Sequence, residues 1–218
     1  MVQVSASLLA ADFACMGRDV TRAEHAGVNS FHFDMMDGHY VPNIALAPEH
    51  LSALRRYTTL PFHVHLELAN PNEVLEHFRP LGANLIIVCR DTLDDAEETL
   101  LRIRACGAKT GLSLNPNESI EEIFRLFSKL DLLMVMGVHP GFGGQTMHPN
   151  TIKRIAQVRQ MSRSISSPPI IAVDGGINLE NAPALVKAGA DLLIIGTALF
   201  RAPKMESFIA KLREAVEA

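Results

Sequence analysis

Apolar positions along the chain fall into two alternating patterns. Short runs rich in Val, Ile and Leu occupy Val4–Leu8, Ser30–Asp34, Phe62–Leu66, Leu85–Val88, Thr110–Leu114, Leu132–Val138, Ile170–Val173 and Leu192–Ile195. Most stop at Gly, Pro, Asp or Asn, which predicts strands of a parallel sheet covered on both faces. Between them lie stretches of helical period: Phe13–Ala26, Pro48–Tyr57, Asn72–Leu81, Asp94–Cys106, Ser119–Ser128, Thr151–Arg163, Asn181–Ala188 and Lys204–Ala215. Asp12, Asn70-Pro71 and Asn117 are placed to cap helix starts, and Ser119 with Glu122 has capping-box spacing. Gly27, Gly82, Gly107 and Gly189 follow helix ends, where glycine accepts the left-handed turn that closes a helix.

The strings HAGVNSFHF, PLGANLIIV, ACGAKTGLSL and KAGADLLIIG repeat one design: helix end, Gly, strand. Recurring βα units with no linker between halves predict a single-domain (β/α)8 TIM barrel over residues 1–218. An open doubly wound sheet satisfies the same alternation and remains the alternative. The polar stretch Ser164–Pro169 reads as a surface loop, not a domain boundary. In such a barrel the site lies at the C-terminal strand ends, so the polar residues closing each run are the ones to examine.

Composition narrows the function. A chain with 48% hydrophobic and 20% charged residues can bury a core without staples. A net charge of −4 offers no basic excess for nucleic acid. Cys15, Cys89 and Cys106 are scattered and form no CxxC pair, so a reducing compartment is expected. The N-terminus has no basic region followed by a long apolar run, and no stretch is long and apolar enough to span a bilayer. A cytoplasmic protein with no membrane partner is the expectation.

Side chains alternate along a strand, so His32 and Asp34 share one face, as do His63, His65 and Glu67. Asp174 ends an apolar run just before Gly175 and Gly176. His32, Asp34, His65 and Asp174 make an N2O2 donor set that suits Zn²⁺ and also Fe²⁺, Mn²⁺ or Co²⁺. A lone strand histidine is more often an ordinary core or rim residue; the metal reading rests on four such groups at three strand ends. Three glycine loops follow successive runs: Gly141-Phe142-Gly143-Gly144-Gln145, Gly175-Gly176 and Gly196-Thr197-Ala198. Each alone is an ordinary turn; together, after the last strands of a barrel, they suit phosphate. No Walker loop, GxGxxG or GxSxG elbow is present. A metal, a phosphate site and two carboxylates suit proton abstraction beside a carbonyl. The metal would bind the carbonyl and a neighbouring hydroxyl and stabilise an enediolate, while Asp34 and Asp174 serve as acid and base on opposite faces.

The residues Ser7-Leu8-Leu9-Ala10-Ala11-Asp12-Phe13, His32-Phe33-Asp34-Met35-Met36-Asp37-Gly38 and Val41-Pro42-Asn43 resemble the ribulose-phosphate 3-epimerase family. So do His63-Val64-His65-Leu66, Asn115-Pro116, Pro140-Gly141-Phe142-Gly143-Gly144-Gln145 and Val173-Asp174-Gly175-Gly176-Ile177. The resemblance spans essentially the whole chain. It implies a barrel of the ribulose-phosphate-binding type with one divalent metal per chain, Zn²⁺ first among the choices, on His32, Asp34, His65 and Asp174. It implies Asp34 and Asp174 as the acid/base pair, and Ser7 and His65 as substrate contacts. The phosphate would lie on Gly141, Phe142, Gly143, Gly144, Gly175, Gly176, Gly196 and Thr197, and Met36 and Met136 would line the cavity. A ketose phosphate of the ribulose 5-phosphate/xylulose 5-phosphate type is the implied substrate, and a homo-oligomer, dimer or hexamer, the implied assembly.

The chain departs from the family pattern at Ala10, Glu67, Cys89-Arg90-Asp91 and Gly137 to His139. Glu67 stands where the family usually has Met. Burying its charge is costly unless it meets the metal, Arg90 or a substrate hydroxyl; a rim position in water avoids that cost. A carboxylate there is expected to shift preference toward a hexulose or tetrulose phosphate such as allulose 6-phosphate. Barrel lyases and decarboxylases sharing only the phosphate loops are a competing reading, and a non-catalytic binding protein is another.

Overall fold

The computed structural model describes residues 2–217. In chain order its elements are β1 (Gln3–Ser7), α1 (Met16–Ala26), β2 (Ser30–Asp37), the two-residue β3 (Ile44–Ala45), α2 (Glu49–Leu54), β4 (Phe62–Glu67), α3 (Leu75–Phe78), β5 (Leu85–Cys89), α4 (Ala96–Ala105) and β6 (Lys109–Leu114). Then come a 3-10 helix (Glu121–Lys129), β7 (Leu132–Met136), α5 (Thr151–Ser162), β8 (Ile170–Asp174), α6 (Ala182–Ala188), β9 (Leu192–Ile195), α7 (Thr197–Phe200) and α8 (Met205–Glu217). All these strands except β3 pair in parallel, each with its neighbour in chain order, and β1 pairs with both β2 and β9. The sheet therefore closes on itself into a (β/α)8 barrel, and the open-sheet alternative is overturned. Among the described residues no helix is long and apolar enough to cross a membrane.

Two-residue alternation divides every strand between two environments. Phe31, Phe33 and Met35 of β2, Phe62, Val64 and Leu66 of β4, and Ile171 and Val173 of β8 pack outward in the large cluster beneath the helices. The other phase of the later strands, including Ile87, Met134, Met136, Ala172 and Ile194, fills the barrel interior. That phase carries His32 and Asp34 on β2, His65 and Glu67 on β4, and Asp174 on β8. The apolar outer face thus fixes which polar residues point in.

Several elements differ from the pattern-based expectation. The run Leu132–Val138 stops at Met136, because Gly137 N–H donates to Asp174 O at 2.6 Å and Gly137 O accepts from His148 N–H. A Cβ on Gly137 would lie 2.6 Å from Gly175 O, so only glycine permits this approach. β2 runs on to Asp37 because Met36 and Asp37 also pair antiparallel with β3. The segment Ser119–Ser128 forms the 3-10 helix, whose buried Ile120, Ile123 and Leu126 recur every third residue. Pro48–Tyr57 breaks into α2 and a 3-10 turn, and Asn72–Leu81 shrinks to a Pro71–Glu73 turn plus α3. Asp12 caps as expected, accepting from Ala14 N–H. The capping box does not form: Ser119 donates to Glu121 instead. Gly27, Gly82, Gly107 and Gly189 all take positive φ, from 81° to 118°, as their positions predict.

Candidate active site

The C-terminal mouth of the barrel holds a cavity of about 250 Å³. Asp34, Met36, Glu67, Met136 and Asp174 line it from the strand ends, and Ser7 from β1. The loops Gly141–Gly144, Gly175–Gly176 and Gly196–Thr197 form its opposite wall, together with Phe142. His32 and His65 lie fully buried directly behind these groups. The structure thus gathers every site residue named above into one place.

The register sets the layers. Asp34 sits beside His65 and Met36 beside Glu67, while His63 pairs with His32 one layer deeper. His63 stays outside the cluster; burial above all, with His32 and Lys109, pushes its pKa down to about 3. His32 Nε2 lies 3.0 Å from Asp34 Oδ1 and 3.7 Å from Asp174 Oδ2. His65 Nδ1 lies 3.4 Å from the same Asp34 oxygen. One donor atom from each of His32, Asp34, His65 and Asp174 falls within 4.8 Å of the others. Two imidazoles and two carboxylates at this spacing fit a divalent cation.

The surroundings orient the set. Ser7 Oγ donates to Asp34 Oδ2 at 2.9 Å. Ser113 Oγ faces Val88 O at 3.4 Å and His65 Nε2 at 3.0 Å. If the serine donates to that carbonyl, it accepts from His65 Nε2–H, which leaves Nδ1 free to face the cluster. Cys89 Sγ is also 3.4 Å from Nε2. Ser113 and Cys89 escaped sequence reasoning as partners of His65; the inward phase of β5 and β6 is the only signal that marks them.

The two aspartates are shifted in opposite directions. Burial pushes Asp34 up, but the His32 charge and hydrogen bonds with His32 and His65 hold its carboxyl well below the ordinary range. Burial, then the Asp34 charge, raises Asp174 to about 7. Burial opposes the charge on His65, yet Cys89, Asp34 and Glu67 raise it well above the usual histidine value.

Glu67 is not a rim residue in water. It is 2% exposed, and Arg90 is not its partner. Its Oε1 lies 3.3 Å from His65 Nδ1, and its buried Oε2 has no hydrogen-bond partner.

The loop after β7 is tied down on both sides. Asn43 Nδ2 donates to Gly141 O at 2.7 Å, and Gln145 Nε2 donates to His139 O and Phe142 O at 2.8 Å each. Positions where a Cβ would sit on Gly143 and Gly144 lie 3.7 and 3.8 Å from Thr197 Oγ1, so the loops after β7 and β9 face each other closely.

A profile of the ribulose-phosphate 3 epimerase family matches residues 3–200. The chain belongs to the ribulose-phosphate 3-epimerase family. It is accordingly an isomerase. Proteins named ribulose-phosphate 3-epimerase are similar to it at full length. The one from Bacillus subtilis (strain 168) is 36% identical over 98% of this chain and 99% of its own length. That from Chlamydia pneumoniae is 39% identical over 97% and 94%, and that from Escherichia coli (strain K12) 35% over 96% and 94%. Solved structures share the fold alone. Orotidine 5'-phosphate decarboxylase from Pyrococcus horikoshii OT3 aligns with a TM-score of 0.72 at 15% identity, over 99% of this chain and 100% of that one. The tryptophan synthase alpha subunit of Legionella pneumophila str. Paris aligns at 0.68 and 14% identity, over 99% and 93%. The decarboxylase and synthase reading therefore has only the barrel in its favour.

Proposed function

We propose that this epimerase inverts C3 of D-ribulose 5-phosphate to give D-xylulose 5-phosphate, and the reverse, with one divalent metal ion on His32, Asp34, His65 and Asp174. The observation that carries the reading is the pair of aspartates from β2 and β8 that meet His32 and His65 in a single ion-sized cluster, with Asp34 shifted toward the ionised form and Asp174 toward the protonated one. Zn²⁺ is the first choice and Fe²⁺, Mn²⁺ or Co²⁺ suit the same donors. A bound ion would supply a Lewis acid for the substrate oxygens that gain negative charge when C3 is deprotonated.

The protein's own groups then divide the work. Ionised Asp34, oriented by Ser7, takes the C3 proton from one face. Protonated Asp174 delivers a proton to C3 from the other face, which inverts the centre and leaves Asp34 protonated and Asp174 ionised. The reverse reaction starts from that second state. Met36 and Met136 form an apolar wall that keeps water from the intermediate. Backbone N–H groups of the glycine loops and of Thr197 receive the phosphate. A homo-oligomer, dimer or hexamer, in the cytoplasm is the setting we infer.

A buried Glu67 in the cavity wall favours a second substrate reading, a hexulose or tetrulose phosphate such as allulose 6-phosphate. A panel of ketose phosphates assayed with defined metals in D₂O tests both. Interconversion with solvent deuterium at C3, fastest on ribulose 5-phosphate, supports the main reading. Faster turnover of allulose 6-phosphate would replace it with the second, and no exchange on any ketose phosphate with any metal overturns the mechanism.

A further inference from the structure

One carboxylate in the cavity wall stands apart from the proton-transfer cluster. Glu67 ends β4 on its inward phase and lines the cavity. Its oxygens lie outside the mutually close donor set of His32, Asp34, His65 and Asp174. Oε1 sits 3.3 Å from His65 Nδ1, whereas Oε2 has no hydrogen-bond partner in the protein. Ser7, Gln145 and Asn178, also in the wall, are already engaged. Ser7 donates to Asp34, Gln145 donates to the carbonyls of His139 and Phe142, and Asn178 accepts from Glu180 and Asn181 N–H. The register neighbour of Glu67 on β2 is Met36, which offers no donor. An unpaired acceptor in the wall of a substrate cavity is completed by a donor on the molecule that fills the cavity, because leaving it unpaired carries the full desolvation cost of the group.

Barrel topology says which donor that is. The parallel strands close in the order β1, β2, β4, β5, β6, β7, β8, β9, so β4 stands opposite β8, four strands away in either direction. The glycine loops that suit the phosphate follow β7, β8 and β9 and are centred on β8. Among the described residues, none of β5 or β6 lines the cavity. Glu67 therefore marks the end of the cavity away from the phosphate loops, with the Asp34 and Asp174 cluster between the two ends. A ketose phosphate held by its phosphate at those loops, with C3 at the two aspartates, extends C2 and C1 toward β4. C2 is a carbonyl and has no proton to give. The C1 hydroxyl is the one donor that such a substrate carries on that side of C3.

We propose that Glu67 accepts a hydrogen bond from the C1 hydroxyl of the ketose phosphate through Oε2, which makes the hydroxymethyl end of the sugar a specificity determinant. This inference rests on the ketose-phosphate epimerase reading above. Pentulose and hexulose phosphates carry the same C1 end, so the contact serves either.

The test pairs two substrates, D-ribulose 5-phosphate and its 1-deoxy analogue, with three proteins: wild type, Glu67→Gln and Glu67→Met. Solvent deuterium entering at C3, followed by NMR, gives kcat/KM for each pair without a coupling enzyme. Wild type is expected to prefer the 1-hydroxy substrate by about 10–100-fold, the range for a hydrogen bond to a charged acceptor. In Glu67→Met, which has no acceptor of that kind, the preference should fall to within about threefold. Glu67→Gln keeps the side-chain shape and one acceptor oxygen, so its preference should lie between the two, and circular dichroism confirms that both variants are folded. A wild type that treats the two substrates alike within about twofold overturns the proposal. So does a preference that survives unchanged in both folded variants. If Glu67→Met shifts the ratio of ribulose 5-phosphate to allulose 6-phosphate turnover while leaving the 1-deoxy preference intact, Glu67 reads chain length and the C1 contact is refuted. If wild type exchanges C3 of no ketose phosphate with any metal, the epimerase reading itself falls, a result distinct from loss of the C1 contact alone.

Discussion

Asp34, which is buried, and Asp174, which is mostly buried, differ in proton affinity because their neighbours differ. Asp34 faces two imidazoles and a serine hydroxyl, whereas Asp174 faces Asp34 across the cluster, and the charges of His32 and His65 offset it only in part. Neutralising either carboxyl removes one proton-transfer group and should cut kcat by roughly 10²–10⁴. The check is deuterium wash-in at C3 from each epimer separately. Asp34→Asn and Asp174→Asn should each lose exchange preferentially on a different epimer; equal loss on both would argue against two faces and two groups. Asp19 supplies a prediction of another kind. Burial raises its pKa, but the Asp12 N–H, Arg18 and Arg22 hold it below the ordinary value. A depressed folded-state pKa means the stabilisation is fully present above the unfolded value of about 3.9 and is lost as pH falls through the lower folded value. Asp19→Asn should therefore cost about 1–3 kcal/mol in urea unfolding at neutral pH, and the gap from wild type should narrow progressively below about pH 4.

At the level of elements, the strand-end glycines hold β7, β8 and the following loops at backbone contact. Gly176 has φ +68°, and a Cβ there would sit 2.6 Å from Met147 N. Gly176→Ala should destabilise by about 1–3 kcal/mol, since the obstacle is backbone and the conformation is left-handed. For a domain of this size that lowers the thermal midpoint by roughly 3–10 °C, measured by calorimetry. The same reasoning explains why some helices were legible and others were not. α1, α4 and α5 carry sustained helical periodicity and appear close to their expected bounds, allowing for the 3-10 turn over Phe13–Cys15 that precedes α1. The segment after β6 carries apolar residues that satisfy a three-residue repeat as well as a helical one, and packing against the barrel selected the 3-10 form. Asp95, which caps α4 by accepting from Glu97 and Glu98 N–H, is an ordinary surface acid until the loop before it bends.

At the level of the whole molecule, barrel closure brings β2, β4 and β8 to one mouth and couples the site to global stability. An ion that binds only the folded barrel stabilises it by about 2.7 kcal/mol at a concentration 100 times its Kd. Chelation should lower the thermal midpoint by roughly 5–10 °C, and readdition of Mn²⁺ or Zn²⁺ should restore it; a midpoint indifferent to metal would mean the cluster holds none. The amino-acid order by itself determined the alternation of strands and helices. It also determined the phase that turns His32, Asp34, His65 and Asp174 inward, because a two-residue period is a local property of the chain. It marked the glycine turns, because positive φ is a local demand. Tertiary structure alone decided that the sheet closes, that Asp34 stands in register with His65, that Ser113 and Cys89 stand behind that imidazole, and that Glu67 is buried beside it rather than wetted at the rim. Those outcomes depend on the shear of a closed barrel and on contacts between residues far apart in the chain, which no local pattern encodes.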